Sequence, residues 1–133
     1  EALVTHSGRS DIPERTFRFA VRIVRLCRYL EKRSIASDRL VSQLLASGTP
    51  IGANVEEAQV GQSRKDFCSK NAIALKEARE TIYWLWLLVA SHLVPEHLMT
   101  GLVTEAREIA AILGKVVVST RANDAGGRSS SDE

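Results

Sequence analysis

The sequence is short of the residues that carry chemistry. Its 133 residues hold two cysteines, three histidines and one methionine, and aromatics make up only 5%. Cys27 and Cys68 lie far apart with no Cys or His at metal-ligand spacing beside either, which excludes a zinc motif or a disulfide framework. Both read as reduced, half-buried packing residues, because free cysteine is among the more buried types; a regulatory disulfide or a reactive thiol is the alternative. His6, His92 and His97 are too few and too poorly placed for a triad. No phosphate loop or Gly-x-Gly-x-x-Gly fingerprint occurs. The run from Ser47 to Gly52 resembles a glycine loop but lacks the following Lys-Ser/Thr and does not follow a strand. No apolar run approaches the roughly 18 residues of a membrane span, and no basic-then-apolar signal pattern opens the chain. These absences predict a soluble, cytoplasmic, non-enzymatic protein with no cofactor, no metal and no membrane contact.

Hydrophobic residues make up 44% of the chain, enough for one domain with one core and too little chain for two. The organising stretch is Leu40 to Leu88, two helical patterns joined by a short polar break. Val41, Leu44, Gly48, Ile51, Val55 and Ala58 recur at three-four spacing, a packing seam facing a partner helix. The middle of that helix, Ala46 to Ala53, is almost all small, which lets a neighbouring backbone come close while giving up helix propensity. Pro50 lacks an amide donor and clashes with the carbonyl four residues back, so the sequence predicts a kink, or a break into two shorter helices, at Ser47 to Pro50.

Gly61 closes this pattern and Ser63-Arg64-Lys65-Asp66 starts the next helix as a capping box. Its seam reads Asn71, Leu75, Ala78, Ile82, Leu85, Val89 and His92, about 28 residues or roughly 42 Å of helix.

Before the hairpin, Asp11 caps a first helix with Pro13 in its first turn, running to about Arg33. Phe19, Ala20, Ile23, Val24, Leu26, Cys27 and Leu30 fill one half of its wheel, and Arg15, Arg18, Arg22, Arg25, Arg28 and Lys32 the other. From Arg15 to Arg33 seven basic residues stand against Glu31 alone, +6 in a chain of net +2, which leaves −4 for the remainder. Two readings compete for the stripe. It is a solvated face whose arginines pair with Glu56, Glu57, Glu77 and Glu80 of neighbouring helices or subunits, or it binds phosphate, for which the guanidinium fork is suited. A membrane-surface helix is a third reading, weakened because the apolar residues are committed to the core.

Ser34 to Asp38 is a short polar connection, so the first two helices are antiparallel neighbours. Asn54, Glu57, Glu77, Arg79 and Glu80 form a polar group on the central helices. A di-metal site there would need Glu-x-x-His pairs, and no glutamate of the group has its histidine, so the group reads as an ion-pair and hydrogen-bond cluster. Trp84 and Trp86 sit on opposite sides of their helix, which places at least one aromatic at a subunit interface; base stacking is a lesser alternative, since no basic residue follows them closely in sequence. Pro95-Glu96 open the last helix, with Met99, Leu102, Ala106, Ile109, Leu113 and Val116 as its seam. Three regions follow: a flexible arm at 1–10, the bundle at 11–120, and a small, polar, disordered tail at 121–133.

The runs SQLLASGTPIGANVEEAQ, SRKDF and IALKEARETIYWLWLL resemble the four-helix bundle proteins encoded in intervening sequences of bacterial large-subunit ribosomal RNA genes, once labelled S23 ribosomal proteins. Pro50 departs from the family, which usually has Ser there. The resemblance implies an all-α, antiparallel up-down-up-down four-helix bundle assembling as a ring-like homopentamer. It also implies kinship with the nucleic-acid-binding accessory protein of diversity-generating retroelements. Together these expectations describe a scaffolding or nucleic-acid-binding oligomer with RNA favoured over DNA as partner, using Arg15 to Lys32; the rival is a protein-interaction module whose arginines join subunits.

Overall fold

The computed structural model describes residues 11–61 and 63–131, with side chains to Asn123. The arm expected at 1–10 lies outside the described residues. Asp11 accepts from the Glu14 amide at 3.4 Å, Pro13 occupies the first turn, and helix α1 runs Ile12–Lys32 as its cap and spacing require. After Ser34, in the left-handed region at φ 50°, the chain reverses and Ser37 caps α2 (Asp38–Gly48) by accepting from the Leu40 amide.

The break expected at Pro50 is present: α2 ends at Gly48 and α3 (Pro50–Val60) begins with the proline at its first position. Thr49 between them keeps right-handed helical angles, φ −80° and ψ −32°. The two pieces therefore form one rod with a missing hydrogen bond. Ser63 caps α4 (Arg64–Ala90), accepting from the Asp66 amide at 3.0 Å, and a turn with His92 at φ 62° leads to α5 (Glu96–Ser131).

These four rods make an antiparallel four-helix bundle. α1 packs on α2, α3 and α5, α4 packs on α2, α3 and α5, and α1 and α4 stand diagonally across the core. The whole seam of the second rod, Val41 to Ala58, is buried. Its small residues serve the approach foreseen for them. A Cβ on Gly48 would stand 2.8 Å from Ile23 Cγ1, and one on Gly52 3.2 Å from the Thr16 backbone, so α1 lies directly on the broken rod. A buried hydroxyl pair ties this rod to α4: Thr81 Oγ1 donates to Ser47 Oγ at 3.1 Å, and Ser47 Oγ lies 3.2 Å from the Leu44 carbonyl.

Three apolar assignments shift. Val24, placed on the core half of α1, is 42% exposed. In α4 the seam residues Asn71, Leu75, Ala78 and Leu85 are buried and are joined by Ala74, Thr81 and Leu88, while Ile82 and Val89 are half-buried and His92 sits exposed in the turn. The helix is wedged between α5 and the second rod, so its buried face is wider than a single two-helix seam. In α5 the buried residue is Val117, with Val116 half-buried, because a helix of 3.6 residues per turn drifts off a strict heptad. Helix α5 also continues to Ser131, past the boundary expected at residue 120. Packing does stop there: Thr120 is the last buried residue among those whose side chains are described. No helix among the described residues is long and apolar enough to cross a membrane.

Candidate nucleic-acid interface

The arginine stripe divides into two parts. At its start Arg15 lies between α1 and α5, its Nε 3.0 Å and Nη2 2.6 Å from the two oxygens of Glu105, with Glu108 at 2.9 Å. These hydrogen bonds, that from Glu105 first, hold the guanidinium above its ordinary pKa against the opposing effect of burial. Arg18 pairs with Glu14 one turn back at 3.4 Å. Arg22 reaches over α5, its Nη2 3.5 Å from where a Cβ on Gly101 would stand.

Beyond that point Arg22, Arg25, Arg28 and Lys32 are exposed, and no carboxylate among the described residues lies within ion-pair distance of them. They span about 15 Å of helix axis. Arg33 stacks on the Tyr29 ring at 4.4 Å at the end of the same helix. The face carries exposed apolar residues too, Phe17 and Val24 among them. Such a surface can hold anions by charge-assisted hydrogen bonds.

Among the described residues the carboxylates paired with the α1 arginines are Glu105 and Glu108 of α5 and Glu14 of α1 itself; none of Glu56, Glu57, Glu77 and Glu80 is paired with them. Glu105 and Glu108, ninety or more residues from Arg15, have no local signal beyond sitting one turn apart on a polar helix face.

The central polar group is dispersed. Asn54 donates to the Pro50 carbonyl at 3.1 Å, filling the first turn of α3, and Glu57 pairs with Lys70 at 3.4 Å. Half-burial pushes the Glu77 carboxyl above its usual range, the nearby Glu80 adds to this, and Lys76 opposes it. Glu80 accepts from Trp84 Nε1 at 3.4 Å, and Arg79 is exposed without an ion-pair partner among the described residues. The five residues therefore do not gather into one cluster; of them only Glu77 and Glu80 act on each other. Among the described residues no three His, Cys, Asp or Glu side chains gather at metal-binding range.

Lys65 lies elsewhere than the α1 stripe. With Lys76 and Arg121 it lines a shallow cavity of about 490 Å³ between α4 and α5, also walled by Cys68, Ser69, Ala72 and Ile73. At the other end of the same helix pair, Arg107 stands over the Trp86 ring at 5.6 Å. No basic residue follows the tryptophans closely in sequence, and this cation arrives from another helix. Cys27, buried under α2, has its thiol pushed up to about 11 by desolvation, with Glu31 contributing, which leaves it inert at neutral pH.

A search of curated proteins found no match. Among solved structures, the chain is similar to a protein of unknown function from the S23 ribosomal protein family of Bacteroides thetaiotaomicron, with 39% identity and a TM-score of 0.76 over 80% of this chain and 97% of that one. The family profile of the 23S rRNA-intervening sequence protein matches residues 9–115, which takes in the arginine stripe, the broken rod, all of α4 and most of the packed part of α5. The chain therefore belongs to the 23S rRNA-intervening sequence protein family.

Proposed function

We propose that this protein is a non-enzymatic, cytoplasmic nucleic-acid-binding oligomer, with RNA its favoured partner and the second half of α1 its phosphate-contacting face. The observation that carries the reading is the run Arg22, Arg25, Arg28 and Lys32, four exposed cations on one face with no carboxylate to neutralise them among the described residues. Phosphate contacts of this kind release condensed counterions and are indifferent to sequence. A ring of subunits, a homopentamer in this reading, would repeat the patch and raise its effective concentration on a long polyanion.

A second reading has its own support: Phe17 and Val24, 59% and 42% exposed, lie among the cations, as they would if this face met another subunit. The variant carrying Arg22→Ala, Arg25→Ala and Arg28→Ala separates the two. Phosphate capture predicts weaker binding to every RNA and duplex DNA tested, with a log–log salt slope shallower by about 0.9 for each contact removed and an unchanged oligomeric mass. A changed mass with unaltered nucleic-acid affinity per assembled particle would assign the arginines to the subunit contact.

A further inference from the structure

The groove between α4 and α5 has the parts of a single-strand track, and it lies apart from the α1 face. Trp86 of α4 meets Arg107 of α5. Fourteen residues earlier on α4, Ala72 shares a cavity wall with Arg121, fourteen residues later on α5. In an antiparallel pair these two meetings set the register and put Arg79, midway on α4, abreast of Gly114. A Cβ built on Gly114 would find nothing within 4 Å, so a side chain there would meet open space. Lys65 and Lys76 stand toward the far end of the groove with the hydroxyl of Ser69, and among the described residues no acidic side chain lines that cavity.

At the near end Trp86 is 43% exposed and forms a wall of a cavity of about 170 Å³ with Met99, Thr100, Val103 and Thr104. Glu96 lines it as well, the one carboxylate there among the described residues, placed to accept from the exocyclic amino group of a base. An indole face, a guanidinium within reach of it, hydroxyls and an acceptor are what an unpaired base uses: stacking on the ring and hydrogen bonds at the edge. From Trp86 back to Lys65 the cations Arg79, Lys76 and Lys65 are spread over about 31 Å of helix, and α5 adds Arg107 and Arg121 to the same groove.

We propose that the α4/α5 groove binds single-stranded nucleic acid, with a base stacked on Trp86 under Arg107 and the backbone running over Gly114 along Arg79, Lys76, Arg121 and Lys65. This track deepens the nucleic-acid reading of α1 and rests on it. A duplex presents base faces only at its two ends, so the groove favours unpaired strands while α1 takes phosphate from either form.

The test uses the full chain in a Trp84→Phe background, where Trp86 is the sole indole, titrated with a ten-nucleotide oligo(A) RNA, its DNA counterpart and a ten-pair RNA duplex. The single strands should quench Trp86 emission and the duplex should not. Trp86→Leu should weaken single-strand binding by roughly fivefold to a hundredfold and leave duplex binding and oligomeric mass unchanged. Gly114→Leu, placed in open space and so expected to fold, should block the channel and weaken single-strand binding by a comparable factor. Single-strand binding that survives both substitutions would overturn the track while leaving the α1 reading intact. Failure of the parent chain to bind either form would overturn both. A change of mass in Trp86→Leu without quenching of the parent would assign the groove to a subunit contact and overturn the track.

Discussion

Two glycines show how much a single residue's surroundings decide. Gly48 is buried with Ile23 where its side chain would be, whereas Gly114 faces open space, yet both lie within helical stretches where glycine has low propensity. Gly48→Ala should lower unfolding free energy by about 1–3 kcal/mol, the cost of overpacking a tight contact. Gly114→Ala should raise it by about 0.5–1 kcal/mol, since nothing opposes the gain in propensity. Chemical denaturation of both variants reads the difference, and a loss of stability in Gly114→Ala would mean that the groove is closed by a contact this chain does not make alone. The close approach at Gly48 was legible in the run of small residues around it. The openness at Gly114 was not, because an isolated glycine in a helical pattern looks the same whichever way its missing side chain points. Arg15 was legible as a cation and illegible as a clamp, its partners Glu105 and Glu108 being ninety residues away and brought near only by the return of α5.

At the scale of the element, the caps carried most of the information. Asp11, Ser37 and Ser63 each open a helix by accepting a first-turn amide, and the starts at Asp11 and Ser63 were legible in the sequence to within a residue. Pro50 interrupts the second rod for the reason its chemistry dictates, but Thr49 remains helical, so the interruption is a lost hydrogen bond more than a change of direction. Pro50→Ala should restore a donor to the Ala46 carbonyl, join α2 to α3, and stabilise the chain by about 1–3 kcal/mol; amide exchange at residues 49–51 reports the new bond as added protection. Destabilisation would instead show that the packing of Gly48 and Gly52 on α1 depends on the bend. The seam of α4 holds at Asn71, Leu75, Ala78 and Leu85 and widens to Ala74, Thr81 and Leu88, because periodicity reports one line of recurring residues and a helix held between two neighbours buries more than one. The end of α5 was misjudged in a related way. Composition marks the last buried residue among those with described side chains, Thr120, and says little about how far the helical backbone runs beyond it.

For the whole molecule, charge is sorted by face. The chain is +2 overall, with +6 between Arg15 and Arg33, so its remainder is acidic. Folding uses part of that acidity locally, seating Glu105 and Glu108 on Arg15 and Glu57 on Lys70, and leaves the second half of α1 uncompensated by any described residue. The exposed Glu57–Lys70 pair contributes only about 0–1 kcal/mol, whereas the two-point Arg15–Glu105 pair is partly buried and ties α5 to α1. The fold was legible because helix caps and apolar spacing are local, while the groove that joins Trp86 to Arg107 depends on the register of α4 against α5, which no local pattern encodes. The central claim, phosphate capture by α1, is tested most directly by the salt dependence of binding to a structured RNA and a duplex DNA, read by fluorescence anisotropy on particles of verified mass. The account predicts affinity for both that falls with a log–log slope of about −3 or steeper, as four cations contacting phosphate require. No binding at low salt, or binding whose affinity is flat with salt, would contradict it.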